Sequence, residues 1–372
     1  MRKRFVFTTI RKSQLTSGTL DAIWKVFAWS MNQLVRGEWS DTDWKGDPTG
    51  RGGEKLADNW RGALIQVRGD WEFYMQAFHF PQWNVGDIMC WMCRASNQHR
   101  DRLWTQFGPD AGWRQNMFTH ATWIEYCLGK GKGVVLLTQI DGFVLGMVHI
   151  DVLHTVDQGV ASHVIGNIFS ELVDTFPDGI SGLWSDMKKW YGKTKCQNKL
   201  TAKLTTDRMK TSAGYPKLKA KAAQTRALAP YALELAQKHN SGSDHDQYRV
   251  GVAQLLCRFY NILQSEDMFG STEACSEVKT LCGQFLHMYG ALSREALRPP
   301  VVRRWKMVPK FHLFQHLCEI QTQRKGNPRF YWTYADEDLV GHMKEIAQSC
   351  HPLTMAQTCM YKWVLLQFSY EQ

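Results

Sequence analysis

Two short pairs of metal-binding side chains lie 219 residues apart in this chain, Cys90-Trp91-Met92-Cys93 and His312-Leu313-Phe314-Gln315-His316. No other feature constrains the fold as tightly. Two thiolates two residues apart and two imidazoles one helical turn apart can meet in a tetrahedral zinc site. Such a site must clamp a C-terminal helix onto the N-terminal half, and it is too wide in sequence for a small zinc finger. Pro309, just ahead of the histidines, fits the start of a helix. The rival readings of the cysteines are a redox dithiol and inert buried thiols. Redox dithiols usually carry Pro or Gly between the cysteines inside a βαβ pattern. Here Trp91 and Met92 intervene, and the flank from Pro81 to Gly112 reads as loop. His79, His99 and Cys127 are substitute ligands.

The 372 residues are 44% hydrophobic and 22% charged, which suits a globular protein and excludes a disordered chain or a coiled-coil rod. The most apolar stretch, Gly133 to Ile150, is broken by Gln139, Asp141 and His149, too often for a membrane span. Met1-Arg2-Lys3-Arg4 is followed by only six uncharged residues, too few for a signal-peptide core. The expectation is a protein that is not secreted, with its ten cysteines reduced or bound to metal.

Lys and Arg number 45 against 35 Asp and Glu, a net charge of +10. The excess is local. Between Met187 and Arg226 stand twelve basic residues and one acid, Asp207. Concentrated positive charge on a near-neutral body suggests a polyanion partner, with a solvated surface or linker as the bland reading. Lys188, Lys189, Lys193, Lys195, Lys199 and Lys203 lead this segment. Trp190, Tyr191 and Tyr215 within it either stack on bases or pack into the core.

Phe5 to Ile10 and Ala63 to Val67 read as strands, and Leu20 to Val35 as a mostly buried helix. Ala63–Val67 runs into Arg68-Gly69-Asp70, so Asp70 would stand at a strand's mouth. Asp151 opens a helical pattern that continues through Leu172. Ala227 to Leu297 reads as two or three helices, split at His239–His245 and at Gly270. The spans are 1–150, a helical part 151–300 containing the basic segment 187–226, and 301–372.

Acids stand at element edges: Asp70, Asp151 in Asp151-Val152-Leu153-His154, and Asp336-Glu337-Asp338 after an aromatic run. Carboxylates converging from distant segments are what two-metal phosphoryl transfer requires. Taken singly, Asp151 is as well explained by a helix cap and 336–338 by solvated charge.

The order Asp70, Cys90-x-x-Cys93, Asp151-x-x-His154, His312-x-x-x-His316, Glu337 resembles cut-and-paste transposases of the CACTA-like DDE group. In these an RNase H-like core is interrupted by a helical insertion. Cys90 follows Asp70 by 20 residues; His312 and His316 precede Glu337 by 25 and 21. The resemblance implies a helix-rich α+β chain with a partial RNase H-like core and a large all-helical insertion. It implies Asp70 and Glu337 as magnesium or manganese ligands and catalytic acids, with Asp336 or Asp338 as substitutes. Asp151 and His154 would support the site, and structural zinc would sit at Cys90, Cys93, His312 and His316. The strands that would carry the first catalytic Asp would precede Met1, and none of Asp21, Asp41, Asp43 and Asp47 replaces it. The expectation is therefore a transposase-derived, nuclear or cytoplasmic DNA-binding protein, catalytically incomplete, with DNA and a second copy of itself as partners. A zinc-stabilised nucleic-acid-binding or assembly module and a dithiol oxidoreductase are the alternatives.

Overall fold

A computed structural model describes residues 6–83, 86–133 and 135–369. The chain is helix-rich, 58% helical with 4% in strand. Its twelve α-helices among the described residues are α1 (Thr19–Arg36), α2 (Trp71–Phe78), α3 (His120–Gly129), α4 (Ser162–Leu172), α5 (Ile180–Thr194), α6 (Ala222–Lys238), α7 (Asp244–Ser265), α8 (Thr272–Ala296), α9 (Lys310–His316), α10 (Thr322–Lys325), α11 (Tyr334–Gln348) and α12 (Met355–Ser369). No described helix is long and apolar enough to cross a membrane.

The expected helices are present. α1 covers the predicted span and stops at Gly37, whose φ of 76° lies in the left-handed region that favours glycine. α6, α7 and α8 break where the polar and glycine-rich stretches predicted, and Ser243 and Ser271 cap the two later starts.

The strands are not. The α+β expectation with a partial RNase H-like core fails among the described residues, where backbone pairing outside helices is confined to isolated bridges. Phe5 lies outside the described residues. Val6 to Ile10 follow no regular pattern. They are held instead by Phe7 against Phe27, with ring centres 5.2 Å apart, and by the Thr9 hydroxyl on the Ala356 carbonyl. Ala63–Val67 pairs only at its last residue. Val67 donates to Met147 O at 2.8 Å and accepts from His149 N at 2.9 Å, a single parallel bridge. The next position a strand would occupy is filled by a side chain: Gln321 accepts from Ile150 N at 2.8 Å and donates to Ile150 O at 3.3 Å. Strand propensity stabilises a strand only where neighbours complete the ladder. Without them Ile65 stays 75% exposed.

The centre is a helix that runs from Val152 through α4. Its first part, Leu153–Ala161, is π-helical. It is buried on nearly every side, with Val156, Val160, Val164, Ile165, Ile168 and Phe169 fully enclosed. α6 and α9 pack against it, and α7 and α8 close the bundle. One apolar cluster runs from Ala28 to Cys318.

The far end of this helix carries a buried charge network that no sequence pattern announced. Glu171 accepts from Trp305 Nε1 at 2.6 Å and pairs with His245 at 3.1 Å and Arg249 at 3.3 Å. Arg304 is 3.9 Å from Glu171, Asp246 holds Arg249 at 2.6 Å, and Glu295 faces the other His245 nitrogen at 3.0 Å. The hydrogen bond to Glu171 raises His245 to about 9, against the burial that would lower it. A histidine raised on folding adds stability that is complete below its unfolded pKa of 6.5 and is lost as pH rises through about 9. The melting-temperature gap between the intact chain and His245→Gln is therefore expected to be largest near pH ~6 and to shrink towards pH ~10. A gap constant across that range would refute the assignment.

Candidate metal centre and carboxylate site

The segment 88–96 folds into a knuckle. Ile88 and Ser96 bridge antiparallel, and Met89 donates to Ala95 O at 3.0 Å. Its flank is tied to a second extended stretch, with Phe118 donating to Met92 O and Arg94 to Asn116 O, both at 2.9 Å. The tight turn lets Met92 N donate to Cys90 Sγ at 3.3 Å and aims both sulfurs to one side. α9 brings the histidines. Cys93 Sγ is 3.3 Å from Nε2 of both His312 and His316. All four ligand atoms lie within 4.8 Å of one another, and all four residues are fully buried. Ligands around a tetrahedral zinc stand ~3.5 Å apart, from bonds of ~2.3 Å to sulfur and ~2.0–2.1 Å to nitrogen, so the set fits the metal. Trp113 stands edge-on to both imidazoles at 4.8 and 4.9 Å and fixes their ring planes. Burial pushes the Cys90 thiol up, but hydrogen bonds from Cys93, His312 and His316 outweigh it and hold the group well below its ordinary value. Burial and the neighbouring Cys90 push the Cys93 thiol up, so one of the two sulfurs favours the thiolate that zinc takes. His79, His99 and Cys127 lie outside the cluster.

Of the five acids singled out in the sequence, Asp70, Asp151 and Glu337 act on one histidine, His154. Asp70 does not end a strand; it caps α2, accepting from Phe73 N at 2.7 Å. Asp151 is buried and fully engaged. It accepts from Thr333 N at 2.9 Å and from Thr333 Oγ1 at 2.8 Å, and it faces His154 Nδ1 at 2.7 Å. The other His154 nitrogen faces Glu337, on the first turn of α11, at 3.4 Å. Burial alone would lower His154. The hydrogen bond to Asp151 and the charges of Asp151, Glu337 and Asp70 outweigh it and raise it. Burial would raise Asp151, but its bonds to His154 and Thr333 hold it below the usual carboxylate value. Asp336 is tied to Arg68, at 2.8 Å and 3.1 Å through two nitrogens, so it pins α11 to the loop before Asp70. Asp338 is exposed.

Sequence reasoning missed the joint beneath this site. Asp157, fully buried, accepts from Arg226 at 2.6 Å and from the hydroxyls of Tyr260 and Tyr334 at 2.6 Å each. The Arg226 guanidinium lies over Trp332 at 4.3 Å and Tyr334 at 4.9 Å. Arg226 thus belongs to the interior, not to the basic surface. Aromatic residues clustered ahead of Glu337 were the available signal, but nothing in the sequence named their acidic partner.

Lys188, Lys189 and Lys193 project from α5, Lys195 ends it, and Lys199 and Lys203 follow in the loop; all six are exposed. Lys193 is 3.7 Å from the exposed Glu234, a pair of little energetic weight. Two of the three aromatics of this segment are not free to stack on bases, while Tyr215 is half-buried. Trp190 and Tyr191 are buried against Tyr231, and Trp190 donates to Glu234 at 3.1 Å.

Compared with known proteins, the chain matches no family model, no curated protein and no solved structure. Function is therefore argued from the two sites alone.

The metal centre predicts one zinc per chain by elemental analysis. Cys90→Ser with Cys93→Ser should abolish it and, because metal affinity is folding energy at such a site, lower the melting temperature sharply. Full zinc content in the double variant would remove the assignment.

Proposed function

We propose that this protein is a transposase-derived, zinc-clamped DNA-binding protein that holds one divalent cation between Asp70 and Glu337 and does not cut DNA. The observation that carries the reading is His154 held between Asp151 at 2.7 Å and Glu337 at 3.4 Å, with the charge of Asp70 acting on the same imidazole. These are the residues whose order resembles the DDE transposases, and the paired Cys and His motifs of that order meet in the same molecule. The body beneath them is helical, so the reading rests on the constellation and not on a sheet.

The predicted inactivity follows from counting free carboxylates. Two-metal catalysis needs both ions held by several carboxylates, one commonly bridging. Asp151 uses its oxygens on Thr333 and His154, and Asp336 uses its own on Arg68. Asp70 keeps the oxygen not used on Phe73 N and Glu337 the one not facing His154, enough for one magnesium or manganese ion that keeps several waters. His154, raised by its acids, is a cation competitor and a support, not a nucleophile. The exposed lysines of 188–203 supply sequence-independent attraction for phosphates. With DNA as the proposed partner, the proposed location is the nucleus, with the cytoplasm as the alternative.

The zinc-stabilised assembly module remains if DNA is not bound. The dithiol reading is disfavoured because both thiols are fully buried beside imidazoles, whereas thiol exchange needs an accessible sulfur.

Supercoiled plasmid incubated with magnesium or manganese should be shifted on a gel but not nicked. Asp70→Asn, which keeps the helix cap, and Glu337→Gln should each remove a single manganese-binding site seen by calorimetry. Nicking by the intact chain that both substitutions abolish would overturn the inactive reading.

Duplex affinity should fall with salt at about −0.9 in log K per log salt for each phosphate contacted. Changing Lys188, Lys189, Lys193 and Lys195 together to Gln should flatten that slope by roughly 3 to 4 units. An unchanged slope would make the segment a solvated surface only.

A further inference from the structure

Beside the carboxylate site lies a cavity of about 570 Å³ that neither the metal centre nor the acids use. Its walls carry three tryptophans, Trp71, Trp83 and Trp104, and three lysines, Lys217, Lys306 and Lys310. Among the described residues no carboxylate lines it. The volume is that of a small-molecule or cofactor site.

The lysines are built in. Lys310 lies along the central helix because Gly159 has no side chain there: a Cβ at Gly159 would sit 2.6 Å from Lys310 Cδ. Its ammonium donates to His154 O at 2.7 Å, a neutral partner. Lys217 is set by its backbone. The chain at 217–218 packs on α4 so closely that a Cβ on Gly166 would come within 2.6 Å of it, and Leu218 N donates to Ser162 O at 2.8 Å. Lys306 lies over the Tyr215 ring at 4.8 Å. All three ammoniums act on one buried imidazole, His163, which burial and their charge push down to about 3, so it stays neutral. Asp151 and Asp70 act on Lys310 from outside the lining, but no described acid faces the hollow itself, so the three positive charges around it still repel one another. A multiply charged anion offsets that repulsion.

The aromatic side of the cavity sets the rest of the ligand. Trp71 is anchored edge-on to Trp91 at 5.2 Å and by its indole N–H on Pro81 O at 3.1 Å. Trp83 is 48% exposed at the mouth, a ring that packing alone does not require. Exposed indoles beside lysines are the pairing that holds a base by its face and a phosphate by its charge.

We propose that this cavity binds one nucleotide unit, its base on the tryptophan wall and its phosphates on Lys217, Lys306 and Lys310. The site stands on its own geometry and does not need a cation at Asp70 and Glu337. The unit comes either from a free nucleoside triphosphate or from an unpaired nucleotide of a single strand, and the chemistry is shared.

The test uses the full zinc-loaded chain in buffer without magnesium, manganese or chelator, so that failure of the carboxylate site leaves this result untouched. ATP is compared with inorganic tripolyphosphate, and a ten-residue oligothymidylate with its abasic counterpart, by tryptophan quenching and calorimetry. The base-bearing member of at least one pair should bind about tenfold tighter than its base-free partner. Trp83→Ala, at an exposed position, should erase that preference. Lys217→Ala and Lys306→Ala should each weaken the same ligand about tenfold. Preference for ATP over tripolyphosphate identifies a free nucleotide; preference confined to the oligonucleotide pair identifies a strand. Equal binding with and without bases overturns the proposal. So does base preference that survives Trp83→Ala, or affinity that survives both lysine changes in chains that keep their zinc.

Discussion

A helix buried on nearly every side must find partners inside the protein for most polar groups it carries, and the helix from Val152 to Leu172 is built on that constraint. An unsatisfied buried polar atom costs about 1–3 kcal/mol, and an unpaired charge costs more. Four of its polar side chains have become joints to other parts of the chain. Asp151 at its head holds Thr333 and His154. Asp157, one turn on, holds Arg226, Tyr260 and Tyr334. Asn167 accepts from Trp305 N at 2.7 Å, and Glu171 at the tail holds Trp305, His245 and Arg249. Residues from 226, 245–260, 305 and 333–334 are placed by this one element. The π-helical stretch between Leu153 and Ala161 widens the turn where His154, Asp157 and Gly159 face three different neighbours.

The N-terminal third depends on a different tie. Its described part has short helices, isolated bridges and long loops, few of which bury a continuous face. The zinc-type cluster joins its knuckle to α9, closing a loop whose ends are 219 residues apart. Closure entropy grows only slowly with loop length, so a metal clip of ordinary affinity suffices to hold so long a span. A sheet would have done the same by ladder hydrogen bonds. Here one bridge at Val67 and Val148 and the amide of Gln321 are what remains of that role.

What the sequence revealed and what it hid divide along this line. Cys90-x-x-Cys93 and His312-x-x-x-His316 were legible because ligand spacing is local: each pair must be presented by one turn, whatever the fold. Asp151-x-x-His154 was legible for the same reason, and the structure makes it both the helix cap and a support for the acids. The helices between 227 and 297 were legible from the polar and glycine-rich stretches that split them, although the first begins five residues earlier, at Ala222. The strands misread because Phe5–Ile10 and Ala63–Val67 have strand-like composition but lack neighbours. Asp157 with Arg226, and Glu171 with His245, were illegible because partners 69 and 74 residues apart leave no spacing rule. Arg226 was miscounted with the surface for that reason, and Trp190 and Tyr191 were offered to bases although the core had taken them.

The sites also share one strut. α9 is seven residues long, yet His312 and His316 belong to the metal centre while Lys310 belongs to the tryptophan cavity and reaches the His154 carbonyl. Its outer face packs Phe311 and Phe314 on Phe285 of α8, which fixes its roll. With roll and register both set, a metal bound at the cluster would decide how firmly α9 is held at the knuckle end. The position of Lys310, and through it the backbone that carries His154 between Asp151 and Glu337, follows from that hold. Loss of metal would therefore reach the carboxylate site through α9 before the helical bundle opened, because the bundle's own joints at Asp157 and Glu171 do not involve the cluster.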